Sequence, residues 1–306
     1  MNYQFTIIIP HYNIPHLLKR CLWSIPKRDD TQVIVIDDKS DDDNIIKLKA
    51  LELEYPYVTF IYSDFNGGGG RARNIGLQYA KGIYVLFADA DDFFNYCIND
   101  ILEKYKNKLF DMAVFNANYI DSDTYLSTDR TPMLNIYMDK YMKTKDLLLF
   151  RYMFGEPWCK LIRRELIVKN DIKFEESPIH NDAKFSYMIG YYSNNIVVDN
   201  IAIYCLADRT KSVSKGISDE KLLWRVKIFS EKNRFLEDHD IDLFDNLMII
   251  SFLHFREKGD YENIKNCYMI ASNYGFSKFF IKKRMIKFEI YNNLRKVKSF
   301  IRIFFS

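Results

Sequence analysis

The chain has 306 residues, room for one large domain or a domain with a smaller addition, and 48% of them are apolar, an ordinary supply for a buried core. Five widely spaced cysteines (Cys21, Cys97, Cys159, Cys205 and Cys267), with no C-x-x-C pair, argue against a zinc site or a disulfide framework and fit a reducing compartment. The net charge of +3 hides an asymmetry: from Lys278 to Arg302 nine basic residues stand against Glu289 alone, so this segment carries +8 and the remainder −5. No apolar run approaches the roughly 18 residues a membrane span needs, and Met1 to Tyr3 run directly into a strand-like segment rather than a leader pattern. The expectation is a cytoplasmic catalytic part.

In chain order, Phe5 to Ile9 is a short β-branched strand stopped by Pro10, with His11, Tyr12 and Asn13 in the loop after it. Pro15 suits the first turn of a helix, and Leu17, Leu18, Cys21, Leu22 and Ile25 keep helical spacing up to Pro26. Val33 to Ile36 is a second strand ending in Asp37 and Asp38. Ser40 and Asp41 to Asp43 supply N-cap chemistry for a helix reaching about Leu53. Val58 to Ile61 is a third strand, Gly67 to Gly70 a flexible turn, Arg71 to Ala80 a helix and Ile83 to Phe87 a fourth strand. Strand and helix alternating at short intervals over about 90 residues predict βαβ units and a parallel sheet with helices on both faces. Ala113 to Phe115 reads as a further strand, and Asp121 to Pro132 as a polar loop free to move. From Ser218 the spacing of Leu222, Leu223, Val226, Phe229 and Phe235 is helical. A boundary is expected between Asp208 and Ser218, which divides the chain into residues 1–215 and a helical region, 216–306.

The chemistry concentrates where the apolar run Tyr84 to Ala88 stops at Asp89, Asp91 and Asp92. In open α/β sheets ligands sit at the carboxyl ends of strands. Three carboxylates within four residues repel one another unless a cation or a network neutralises them. Such hard oxygen ligands suit Mg²⁺ or Mn²⁺ bridging a substrate's phosphates; the competing reading is a solvated acidic turn. The glycine turn with Arg71 and Arg73 offers backbone N–H groups and two guanidinium groups to a diphosphate. It is neither a G-x-G-x-x-G fingerprint nor a P-loop, and the loop after Ile9 has no glycine, which disfavours a dinucleotide-dependent dehydrogenase.

Taken together, IIIPHYN after the first strand, VIDDKSDD after the second, NGGGGRARNIGL before a helix and FADADD after the fourth resemble family 2 glycosyltransferases of the GT-A fold. Trp158 to Leu161 with Arg163 to Leu166, Phe174 to Glu176 with Asn181–Asp182, and Tyr204 to Ser214 extend the likeness to about residue 215; the last ninety residues match no motif. The resemblance implies a Rossmann-like nucleotide-binding domain with a mixed, mostly parallel sheet, followed by a helical C-terminal region. It implies that Pro10, Tyr12, Asp37 and Asp38 hold the nucleotide base, with Asp38 first choice for a uracil imide. Gly70, Arg73, Asp89 and Ala90 would complete the donor site, Asp91 would hold Mn²⁺ or Mg²⁺, and Asp92 would support it or touch the donor sugar. Asp182 matches the catalytic base of an inverting transferase, although the position before it, usually Glu, is Asn181. His180 could carry a proton as well, or be a surface histidine. Trp158 could stack on a sugar or simply pack in the core. Arg209 and Lys211 could close over the pyrophosphate.

The implied reaction moves a sugar from a nucleoside diphosphate sugar, a UDP-sugar for preference, to a glycan or lipid-linked glycan in bacterial cell-surface polysaccharide assembly. A catalytically silent glycan-binding relative and a sugar-nucleotide pyrophosphorylase are the other readings, the latter weakened because PHYN is not a Gly-rich, Arg-containing loop. The tail over 278–306 has the composition of an amphipathic helix lying on the inner face of an anionic membrane, or of a hairpin packed on the catalytic domain. No nucleic-acid-binding module is present to favour that partner.

Overall fold

A computed structural model describes residues 3–128, 133–209 and 218–304, with side chains to Asn293. The expectations for Lys211, for the 212–214 end of the Tyr204 stretch, for 129–132 and for the side chains of 294–306 lie outside the described residues. The chain divides into two compact units, one of Met1–Ser177 with Asn181–Val213, the other of Pro178–His180 with Ser214–Ser306.

The first unit is built on β1 (Phe5–His11), α1 (Pro15–Trp23), β2 (Thr31–Asp37), α2 (Asp42–Glu54), β3 (Val58–Tyr62), α3 (Gly68–Tyr79) and β4 (Tyr84–Phe87). The short β5 (Phe93–Phe94), α4 (Ile98–Tyr105), β6 (Met112–Asp121), α5 (Met133–Thr144), α6 (Leu148–Tyr152), β7 (Lys160–Arg163), α7 (Arg164–Lys169), α8 (Ala183–Tyr192) and β8 (Ile196–Asp208) complete it. One mixed sheet of eight strands runs in the order β3-β2-β1-β4-β7-β6-β8-β5. The β3-β2-β1-β4 half is parallel, as the alternating sequence predicts. Both faces are covered there, since every residue of β2 is buried, and a strand buried on both sides reads as a continuous apolar run. β7 then enters antiparallel between β4 and β6, which the sequence reading did not anticipate. Four residues following a tryptophan give too short a period-2 signal to announce a strand.

Local chemistry accounts for the ends of the elements. Pro15 opens α1, and the Asp41 side chain caps α2 by accepting from the Asn44 N–H. α3 begins at Gly68, three residues before the expected start, where the Asp38 carboxylate just after β2 accepts from the Gly67 and Gly68 N–H groups.

α8 seats against α6. A Cβ on Gly190 would fall 1.9 Å from the Arg151 carbonyl oxygen, so only glycine permits the approach. The Arg151 guanidinium in turn donates to the carbonyls of Gly190 and Ser193, both at 2.6 Å, and closes the helix's C-terminal end.

The second unit, among its described residues, is helical: α9 (Asp219–Asp238), α10 (Leu247–Glu257), α11 (Tyr261–Asn273) and α12 (Lys278–Phe304). Ser218 caps α9, and a buried Lys232–Asp245 pair at 2.6 Å, with Asn233 bonded to both backbone groups of Asp245, ties α9 to the turn before α10. No helix among the described residues is long and apolar enough to cross a membrane.

Gly190→Ala should destabilise the chain by about 1–3 kcal/mol despite alanine's better helix propensity, because the clash is with backbone and cannot be relieved by a rotamer change. Gly155→Ala, where an added Cβ meets nothing within 4 Å, should be close to neutral. Chemical denaturation of the two variants checks the contrast.

Candidate donor site at the carboxyl ends of the parallel strands

The loops leaving β1, β2 and β4 enclose a cavity of about 490 Å³ lined by Pro10, His11, Tyr12, Ile14, Asp38, Gly69, Arg73, Asp89, Ala90, Asp91 and Arg209. Eight of the positions singled out from the sequence therefore meet on one surface, where the chain's topology places a ligand.

The β1 and β2 loops are stitched by Asp37. Ile14 N–H donates to His11 Nε2, so the neutral imidazole carries its proton on Nδ1 and donates to Asp37 Oδ1 at 2.9 Å. Ser40 donates through both its amide and its hydroxyl to the same carboxylate. Burial works to raise the Asp37 pKa, but the bonds from His11 and Ser40 outweigh it and hold it below the usual range. Asp37 is thus spent on the loops and does not line the cavity, which corrects its expected place among the base contacts.

Asp38 does line it, but its two oxygens also accept from the N–H groups of Gly67 (2.9 Å) and Gly68 (2.7 Å). A carboxylate at a helix N-terminus satisfies orphan donors and meets the favourable end of the dipole. These two glycine amides, expected to cradle a diphosphate, are therefore met from within the protein. Arg71 likewise turns away, to the Ser63 hydroxyl and the face of Phe65. Gly70 is a packing position: a Cβ there would stand 2.0 Å from the Glu175 carbonyl oxygen, and Gly69 is the glycine that borders the cavity.

The acidic turn after β4 is held by a different device at each carboxylate. Arg73 donates to Asp89 Oδ1 at 2.6 Å, and Arg209 to Asp91 Oδ2. Asp92 is buried, accepting from the Ala207 N–H at 2.8 Å and from Tyr204. Burial, with Asp89, raises the Asp91 pKa against the pull of Arg209, and burial with both neighbours raises that of Asp92 further. Asp92 faces inward and does not line the cavity. Trp158 is buried too, stacked on Tyr204 with centroids 5.9 Å apart, beneath the turn whose Asp89 N–H donates to the Tyr204 hydroxyl. Its contact is with core, not with the cavity.

No three His, Cys, Asp or Glu side chains among the described residues converge as a metal cage. Nucleotide enzymes commonly hold Mg²⁺ by one or two carboxylates plus substrate phosphates. Asp91 fits that use: its carboxylate faces the cavity, is crowded by Asp89, and already draws a guanidinium as counter-ion.

Phe174 and Asn181, on either side of the approach to Asp182, are held by α3. Asn74 clamps Phe174 through both its amide N–H and its carbonyl (3.0 and 2.9 Å), and Arg73 donates to Asn181 Oδ1 at 3.1 Å while holding Asp89. Asp182 starts α8, partly buried, and its pKa is pushed up to about 6, first by burial and then by Glu156, with Arg73 opposing. His180 lies in the second unit, where Arg225 Nε–H donates to its Nε2 at 3.1 Å and the ring meets the edge of Phe229. Burial and Arg225 lower its pKa to about 4, leaving it neutral and its acceptor nitrogen occupied at pH 7.

Sequence reasoning missed three participants. Arg20 on α1 donates to the Asp91 carbonyl at 2.6 Å and reaches Ser122, bracing the acidic turn. Glu156 charges the surroundings of Asp182, and Asn74 fixes the segment before it. Arg20 is an ordinary helical arginine in the sequence, Glu156 a lone loop acid; only Asn74, next to Arg73, had a motif that could have revealed it.

A family model described as glycosyl transferase family 2 matches residues 6–170. The cholesterol galactosyltransferase of Borreliella burgdorferi is 26% identical over 93% of this chain and 91% of its own. The poly(ribitol-phosphate) beta-N-acetylglucosaminyltransferase TarS of Staphylococcus aureus is 27% identical over 67% of this chain and 36% of its own. The crystal structure of S. aureus TarS 1–349 superposes with a TM-score of 0.61 at 22% identity, covering 88% of this chain and 81% of that one. The TarS 1–349 complex with UDP-GlcNAc gives 0.57 at 20%, covering 89% and 91%. The GT-A architecture is therefore shared.

Because the Asp182 pKa is raised on folding, its carboxyl favours the folded state at low pH, and that contribution is lost as pH rises through 6. Asp182→Asn removes the buried charge. Its stability gain over wild type should be near zero below pH 4 and reach about 2 kcal/mol above pH 7. Thermal melting across that range measures it, and a gain independent of pH would contradict the assignment.

Proposed function

The chain belongs to glycosyl transferase family 2, and from that premise we propose that it transfers a hexose from a UDP-sugar to a glycan or lipid-linked glycan hydroxyl, with inversion at the anomeric carbon. Membership in a glycosyl transferase family counts against the dehydrogenase and pyrophosphorylase readings. The observation that carries the proposal is Arg73, which grips Asp89 at the cavity and Asn181 beside Asp182, joining the donor carboxylates to the candidate base through one side chain.

In this reading Tyr12 and Pro10 flank the base, Asp38 accepts its imide N–H through lone pairs left by the glycine amides, and Asp89 meets the ribose. Asp182 accepts the proton of the acceptor hydroxyl as that oxygen bonds to the anomeric carbon. The bond from that carbon to the β-phosphate oxygen breaks, and its electron pair leaves with the diphosphate. A pKa near 6 suits a base that must be ionised at neutral pH yet hold a proton once it arrives. Mg²⁺ or Mn²⁺, when bound at Asp91, would offset charge building on the departing diphosphate. Arg209, the counter-ion of Asp91, would turn to the pyrophosphate instead. The relatives acting on poly(ribitol-phosphate) and on cholesterol support an acceptor belonging to the cell envelope, and with it a cytoplasmic site of action at the inner face of the membrane.

Nucleotide release from UDP-, GDP-, CMP- and TDP-sugars with Mn²⁺ tests the proposal. One UDP-sugar should be turned over, with an acid limb near pH 6. Asp91→Ala should abolish metal-dependent release. Asp182→Asn should lower transfer by about 10²–10⁴-fold while leaving donor binding intact. Binding of no nucleotide would overturn the reading in favour of a catalytically silent relative.

A further inference from the structure

α12 is amphipathic twice over. Its Ile281, Met285 and Phe288 turn inward, the first two buried, and the helix packs on α10. On the opposite side Phe279, Ile286 and Ile290 are 77%, 58% and 55% exposed. At about 100° per residue these three fall within about 40° of one another. Lys283 and Lys287 flank this stripe on one side and Lys282 on the other, all three exposed. Glu289, the segment's sole acid, lies toward the edge and is paired with Arg256 of α10. In the sequence the seven-and-four spacing runs on to Val297 and Ile301, among Arg295, Lys296, Lys298 and Arg302.

A solvent-facing apolar stripe rimmed by lysines, on a helix already anchored by its other face, needs a partner that is apolar in the middle and anionic at the edges. A second copy of this face is disfavoured, since stacking would set lysine rims against each other. A nucleic acid offers nothing for Phe279, Ile286 and Ile290. A bilayer with anionic headgroups offers both parts: acyl chains for the stripe and phosphates for the lysines. Beside the stripe, Arg284 stacks on Phe244 at 4.1 Å and with Lys287, Phe288 and Tyr291 lines a cavity of about 350 Å³ whose other wall carries Asp242. Its two cations extend the basic rim along the helix flank.

We propose that the Phe279–Ile286–Ile290 face of α12, with Lys282, Lys283 and Lys287 around it, is the surface by which this protein lies on an anionic membrane. The helix rests in the interface plane, and its buried stripe stays on the protein.

Flotation of the full chain with phosphatidylcholine vesicles, with and without 30% phosphatidylglycerol, tests this at low and high salt. The wild type should float with the anionic vesicles at low salt and not with the neutral ones. Lys282→Gln/Lys283→Gln/Lys287→Gln should reduce partitioning about a hundredfold. Phe279→Ser/Ile286→Ser/Ile290→Ser should abolish it, and both variants should melt like wild type. The lysine variant changes only exposed side chains, so it carries the test should the serine variant lose stability. Donor hydrolysis in solution should be unchanged in both, which separates this proposal from the catalytic one. Failure of the wild type to float with anionic vesicles, or equal flotation of the lysine variant, overturns the proposal. So does a dimer, seen by light scattering, that the serine substitutions break.

Discussion

Three carboxylates at the end of one buried strand are the constraint around which the first unit is arranged. Asp89, Asp91 and Asp92 cannot share a half-buried turn without compensation. The fold brings compensation from three directions: Arg73 from α3, Arg209 from the end of β8, and the Ala207 amide with Tyr204 from within β8. Arg20 from α1 fixes the turn's backbone. The long β8 matters for this reason, since both the inward anchor of Asp92 and the outward counter-ion of Asp91 lie on or just after it. Breaking one of these pairs strands a partly buried charge, so the turn is rigid where it meets protein and leaves its free electrostatic demand facing the cavity.

The same economy links the two ends of the site. Arg73 has one guanidinium nitrogen on Asp89 and another on Asn181, while Asn74 next to it clamps Phe174. Gly70 lets Glu175 and Asn181 lie against the first turn of α3 without a clash. Three residues of one helix thereby set the position of Asn181, next to Asp182, relative to Asp89. Asn181 stands where the family usually has Glu, and here it accepts from Arg73. Glu156 supplies a carboxylate that bears on Asp182 instead.

The parallel half of the fold was legible because its strands are buried on both faces and read as unbroken apolar runs. β7 was not, since four residues entering antiparallel carry no period of their own. Asp89 and Asp91 could be placed at the cavity edge from the abrupt end of β4. Asp37, Asp38 and Asp92 look the same as these in sequence, yet Asp37 and Asp92 are consumed inside the protein and Asp38 is half consumed by the glycine turn. Which member of an acidic pair faces out depends on the loops around it, and sequence does not show them. Trp158 and His180 were ambiguous between site and packing, and both pack: one against Tyr204, the other against Arg225 and Phe229. α12 was ambiguous between membrane and core because it carries two apolar faces, and only the packed structure separates them.

The claim on which the rest stands is that the cavity at the strand ends is a nucleotide site. Calorimetric titration of UDP in the presence of Mn²⁺ tests it directly. The account predicts one site per chain, weakened at least about tenfold by Arg73→Gln, the loss expected when a charge-assisted contact goes, and also weakened by Asp38→Asn. UDP binding that neither substitution alters, or no binding of UDP at all, would contradict it.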